Sequence, residues 1–135
     1  MVNIQIEYQG DLHCKATHGP SGAEIMTDAP KDNQGRGESF SPTDLVATAL
    51  GTCMLTTMGI AARTLNINIS GATATVEKEM TAAPPRRIAR LTVKIHVPHS
   101  LSAIDEEKLI RAAHTCPVHK SLHPDTEIPI EFSWG

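Results

Sequence analysis

The chain has 135 residues, with 12 basic and 15 acidic side chains for a net charge of -3 when its seven histidines are neutral. That length holds one domain with a real core and falls short of two, so residues 1–135 read as a single domain. The basic residues are dispersed, which excludes a nucleic-acid-binding face, and only Tyr8, Phe40, Phe132 and Trp134 are aromatic, so a core has to be built from Ile, Leu, Val, Met and Ala.

The opening MVNIQIEYQG carries polar residues where the apolar stretch of an export signal would lie, and a cytoplasmic protein is the expectation. Residues 2–9 alternate apolar and polar with the period of a half-buried strand. Gly10-Asp11 turns the chain, LHCKATH returns as a second strand, Gly19-Pro20-Ser21-Gly22 turns it again, and AEIMTD is a short third strand. The polar loop APKDNQGRGES follows, broken by Pro and two Gly. Loops of this length without regular structure often carry function.

From Phe40 to Leu65 the sequence predicts one long helix. Ser41 is its cap, Pro42 suits its first position, and Asp44 lies in the first turn and Arg63 in the last, each with the sign the helix dipole prefers. Between them every position is apolar or small, as in a helix buried on all sides. Thr48, Thr52, Thr56 and Thr57 interrupt the apolar run, which argues against a membrane span. In the middle of this helix stands Cys53.

Asn66 to Met80 alternates and reads as a strand, residues 82–85 (AAPP) as a turn, and RRIARLTVKIHV as the hairpin partner. Ser102 caps an amphipathic helix, AIDEEKLIRAAHT, with Ile104, Leu109, Ile110 and Ala113 on its apolar face. The Cys116-Pro117 step interrupts it, PVHKSLH restarts as a short helix, and TEIPIEFSW is a last strand, placed at an edge by Pro129. The resulting order, βββ–α–ββ–α–β, is that of an α+β fold with antiparallel sheet. A helix apolar all round needs more cover than six modest strands supply, so a second subunit is expected to complete it.

Three cysteines without an export signal point to reactive, metal-binding or packing thiols rather than a disulfide framework. Cys116 caps the short helix if that helix starts at Pro117, where backbone N–H groups favour the thiolate. Cys53 lies in apolar surroundings that disfavour it, so a nearby cation such as Arg36 or a histidine would be needed. Both cysteines also fit a packing role, since free cysteine is a small, usually buried hydrophobe. His114, Cys116, His119 and His123 are closely spaced but match no standard zinc pattern. Cys14, between His13 and Lys15 on a strand, reads as incidental.

The stretch Phe40-Ser41-Pro42-Thr43-Asp44-Leu45 leading to Gly51-Thr52-Cys53, with Cys116-Pro117-Val118 about sixty residues on, resembles the OsmC/Ohr family of osmotically inducible and organic hydroperoxide resistance proteins. The likeness spans nearly the whole chain. It implies an intertwined homodimer with the long helices central and thiol-dependent reduction of organic hydroperoxides. By the resemblance Cys53 is peroxidatic and Cys116 resolves its sulfenic acid into a disulfide, which an external dithiol reduces without any metal or cofactor. Met54, Met58 and residues of the other subunit would form an apolar pocket. The sequence departs from the family pattern at two places. The hairpin GDLHCKATHG has no arginine to pair with the nucleophile, only Lys15, His13 and His18, and Thr43 stands where a glutamate usually follows the helix-start proline. Arg36 and Glu38 in the loop GRGES are candidate replacements, and Asp44 fits a helix-capping role. A non-peroxidatic redox sensor or a small-ligand-binding protein of the same fold is the alternative reading.

Overall fold

A computed structural model describes all 135 residues as β1 (Ile4–Gly10), β2 (His13–His18), β3 (Glu24–Asp28), α1 (Pro42–Leu65), β4 (Thr73–Met80), β5 (Ile88–Val97), α2 (Ala103–His114), α3 (Pro117–Ser121) and β6 (Ile130–Trp134). This is an α+β fold with two three-stranded sheets, and the element order is the one the sequence predicts. The chain packs as two compact units, Met1–Val46 and Ala47–Gly135.

The first unit is an antiparallel meander in the order β1-β2-β3. Its register pairs Ile4 with His18, Ile6 with Ala16, Tyr8 with Cys14 and Ala16 with Ile25. One face therefore carries Ile4, Ile6, Tyr8, Cys14, Ala16 and Ile25, and within a single chain Ile4, Ile6, Tyr8 and Ile25 are all exposed. On the opposite face His13 and Asp28 stand directly across the ladder, with His13 Nδ1 2.7 Å from Asp28 Oδ1. The loop after β3 is closed at its base by Asp28 N–H donating to the Phe40 carbonyl at 3.0 Å. Inside it Gly35 passes so near Ala29 that a Cβ would fall 1.6 Å from the Ala29 carbonyl oxygen, which no side chain accommodates.

The second unit places β5 between β4 and β6. Ala74 and Val76 of β4, the buried Leu91, Val93, Ile95 and Val97 of β5, and Ile130, Phe132 and Trp134 of β6 share one face. Against it lie the buried α1 residues Ala47, Leu50, Gly51, Met54, Met58 and Ala62, spaced as one helical stripe. Gly51 brings helix and sheet together, since a Cβ there would lie 3.1 Å from Val76 Cγ2. By length and composition α1 could cross a bilayer, but Leu50, Met54 and Met58 are fully buried within the protein, as in a core helix.

Four expectations are refined. First, burial of α1 is one-sided within a single chain: Thr48, Thr52, Thr56 and Ile60 form an exposed stripe. Its Thr52 and Thr56 hydroxyls donate back to the Thr48 and Thr52 carbonyls at 2.9 and 2.7 Å. Second, the strand expected from Asn66 begins only at Thr73. Asn66 leaves the helix at φ 57, Ser70 N–H bonds Asn68 Oδ1 at 2.8 Å, and the alternating Ile67 and Ile69 pack on the core without joining a ladder. Third, β6 runs parallel to β5, because α2 and α3 carry the chain over before it returns. It is an edge strand, as Pro129 implied, and the Pro129 carbonyl still accepts from Val93 N–H at 2.9 Å. Fourth, Leu109 and Ala113 of α2 are buried whereas Ile104 is 65% exposed, so the apolar face is shorter than the pattern suggests.

Candidate functional site

Two local structures set the positions of Cys53 and Cys116. Cys53 is carried by α1, whose start is fixed by a reciprocal pair: Asp44 N–H donates to Ser41 Oγ at 3.0 Å, and Ser41 N–H donates to Asp44 Oδ2 at 2.9 Å. This is a capping box with aspartate in the glutamate role. Asp44, a candidate supporting residue, is thus engaged in holding the helix start. Cys116 lies where α2 ends and α3 begins. Pro117 takes the first position of α3, Cys116 is its cap, and Cys116 Sγ accepts from His119 N–H at 3.4 Å.

These elements bring the Cys53 and Cys116 side chains close enough to influence one another, and both are free thiols. Their environments differ. Cys53 is half-buried on a flank of α1, whereas Cys116 has 0% exposure and belongs to the core with Leu109, Ala113 and Leu91. The cap was expected to favour the Cys116 thiolate, and in the folded chain the balance at Cys116 goes the other way. Burial and the bond to Cys53 push the Cys116 thiol up from its ordinary value of 9.0, outweighing the backbone N–H groups of His119 and Val118 that pull it down. Cys116 therefore keeps its proton at neutral pH.

Around the pair, His119 is half-buried, with its ring centroid 6.3 Å from that of His114, and His114 is 6.3 Å from Phe132. Burial, then the charges of His114 and Lys120, hold the His119 imidazole below its ordinary value of 6.5. No three His, Cys, Asp or Glu side chains converge in a way that could hold a metal ion. The two shifts give a pH prediction. A raised Cys116 contributes stability that is present below about pH 9 and lost as pH rises through its folded value, because the unfolded thiol ionises first. A lowered His119 contributes stability that is present above about pH 6.5 and lost as pH falls, because the unfolded imidazole binds the proton more readily. Urea melts of the reduced protein across pH should plateau between these limits, with the alkaline fall flattened in Cys116→Ser and the acid fall flattened in His119→Asn.

The other candidates lie in the first unit. Arg36 Nη2 is 3.8 Å from Asp11 Oδ2 in the β1–β2 turn, an exposed pair of little energetic weight. His18 Nδ1 lies 2.6 Å from Ser21 Oγ, so it serves the β2–β3 turn, and Glu38 is an exposed loop residue. The resemblance placed Met54 and Met58 in a substrate pocket; both instead have 0% exposure and pack on the sheet. The His13–Asp28 contact was missed, because only the strand register reveals that these residues face each other. The role of the His119 N–H was readable in principle from the three-residue cap spacing.

The family model for OsmC-like proteins matches residues 35–131. Among solved structures, a candidate osmotic stress induced and detoxification response protein from Psychrobacter arcticus 273-4 is 47% identical, with 98% of this chain and 96% of that chain covered and a TM-score of 0.92. An OsmC-like protein from Mycoplasma pneumoniae is 18% identical over 99% and 96% of the two chains with a TM-score of 0.83. An organic hydroperoxide resistance protein from Elizabethkingia anophelis is 13% identical over 100% and 96% with a TM-score of 0.79. At such low identity the last two speak to fold alone. No curated protein matches the chain.

Proposed function

The chain belongs to the OsmC-like protein family, and on that premise we propose that it is a cysteine-based peroxidase of the cytoplasm that reduces organic hydroperoxides in defence against oxidative stress. The single observation behind this reading is the contact between the half-buried Cys53 and the fully buried, proton-retaining Cys116. Cys53 thiolate attacks the distal peroxide oxygen, the O–O bond breaks, and the alkoxide leaves as the alcohol after taking a proton. The Cys116 sulfur then attacks the resulting sulfenic acid, expels water and closes a Cys53–Cys116 disulfide, and an external dithiol restores both thiols. Neither step calls for a metal or prosthetic group. Cys53 is the better nucleophile of the two because an incoming peroxide can reach it, whereas Cys116 is sealed and holds its proton.

We read the protein as a homodimer. The exposed Thr48, Thr52, Thr56 and Ile60 stripe of small uncharged residues and, separately, the exposed apolar Ile4, Ile6, Tyr8 and Ile25 face are surfaces that a second copy would cover. A redox-sensing or small-ligand-binding role is the competing reading, favoured by the lack of arginine in the first hairpin and by the pairing of Arg36 with Asp11. Anaerobic stopped-flow oxidation of the reduced protein by cumene hydroperoxide and by hydrogen peroxide separates them. Fast oxidation by the organic peroxide, with a disulfide read by mass, supports the peroxidase. Slow oxidation by both removes the enzyme and leaves the fold.

A further inference from the structure

We infer that the Cys53–Cys116 disulfide is opened at one sulfur only: the external thiol attacks Cys53, and Cys116 is always the leaving group. The inference rests on the proposed disulfide and adds the direction in which it is reduced.

The asymmetry of the pair carries the argument. Thiol–disulfide exchange is an in-line displacement, with the attacking sulfur approaching opposite the sulfur that leaves. An attack on Cys116 would have to come through the core, since Cys116 has 0% exposure and clusters with Leu91, Leu109 and Ala113. Association of chains can only bury a group further, so no oligomeric state opens that approach. Cys53 is partly exposed on its helix, between the buried Met54 and the exposed Thr52, and is the one sulfur of the pair that an outside thiolate can meet.

The leaving side is equally defined. As the S–S bond breaks, the electron pair goes to Cys116 Sγ, where His119 N–H is aimed, at 3.4 Å in the reduced protein. The departing sulfur takes up the proton lost by the attacking thiol, and burial holds it in that form. The balanced step converts RSH and the Cys53–Cys116 disulfide into a Cys53–S–S–R mixed disulfide and Cys116 thiol. A second thiol of the same reductant then attacks R–S, forms the reductant's own disulfide and releases Cys53. A dithiol completes both attacks within one molecule, whereas a monothiol needs a second molecule to release Cys53.

The test uses the unmodified chain. Protein oxidised with diamide is exposed briefly to glutathione, acid-quenched, blocked with N-ethylmaleimide and digested with trypsin. The cuts separate the Gly37–Arg63 peptide carrying Cys53 from the Ala112–Lys120 peptide carrying Cys116, and both from the Cys14 peptide. Glutathione is expected on the Cys53 peptide in at least about tenfold excess, with maleimide on the Cys116 peptide. Glutathione on the Cys116 peptide in equal or greater amount overturns the inference while leaving the disulfide standing. Failure of diamide to form the Cys53–Cys116 disulfide at all overturns both.

Discussion

Replacing Cys53 with serine abolishes oxidation by cumene hydroperoxide, lowering its rate by at least about a thousandfold, because a serine hydroxyl at neutral pH has no thiolate to offer. Replacing Cys116 with serine leaves that first step nearly intact and stalls the protein one oxygen heavier, as a Cys53 sulfenic acid with nothing to condense with. The two variants are fair probes because neither position depends on sulfur for its structure. Cys53 is half-buried and serine is close to it in size. At position 116 a serine inherits the cap geometry, since the His119 N–H that bonds Sγ at 3.4 Å finds an oxygen that caps helices well. Loss of the first step in Cys116→Ser, with retention in Cys53→Ser, would invert the roles. Stopped-flow traces followed by intact mass distinguish these outcomes without any turnover assay.

What the sequence disclosed follows from how local each feature is. The start of α1 was legible because Ser41, Pro42 and Asp44 define it among themselves, and the same holds for Ser102 with Asp105 in α2. The cap at Cys116 was legible from the proline after it. The net acidity of Cys116 was not, because it is decided by burial and by Cys53, residues brought to it only by the tertiary fold. The alternation of Ile67 and Ile69 mimicked a strand because loop residues that plug a core recur at the same period as a half-buried ladder. The direction of β6 depends on where α2 and α3 leave the chain, which no local pattern encodes. Arg36 and Glu38 were candidates as replacements for the pair the resemblance implies and His18 as a cation of the first hairpin, and neither ground says which partner is nearest: Asp11 for Arg36, Ser21 for His18.

Met54→Ala separates a core residue from a pocket residue at the position next to the nucleophile. Met54 directly follows Cys53, yet an adjacent residue points about 100° round the helix, and here it points into the stripe that packs on β4 and β5. Its 0% exposure means that truncation leaves a void beneath α1, for which the expected cost is about 2–5 kcal/mol. Against the roughly 5–15 kcal/mol by which domains of this kind are stable, that is a large fraction, visible as a lower midpoint in urea with an unchanged slope. At temperatures where the variant remains folded, the ratio of its oxidation rates by cumene hydroperoxide and hydrogen peroxide should equal that of the parent chain, because the removed atoms face the sheet. A Met54 that lined the substrate pocket would behave the other way, with little change in the urea midpoint and a marked fall in preference for the bulky peroxide. Discrimination between alkyl and hydrogen peroxide then belongs to the half-buried side of α1 that Cys53 itself occupies, and to whatever surface covers the exposed threonine stripe beside it.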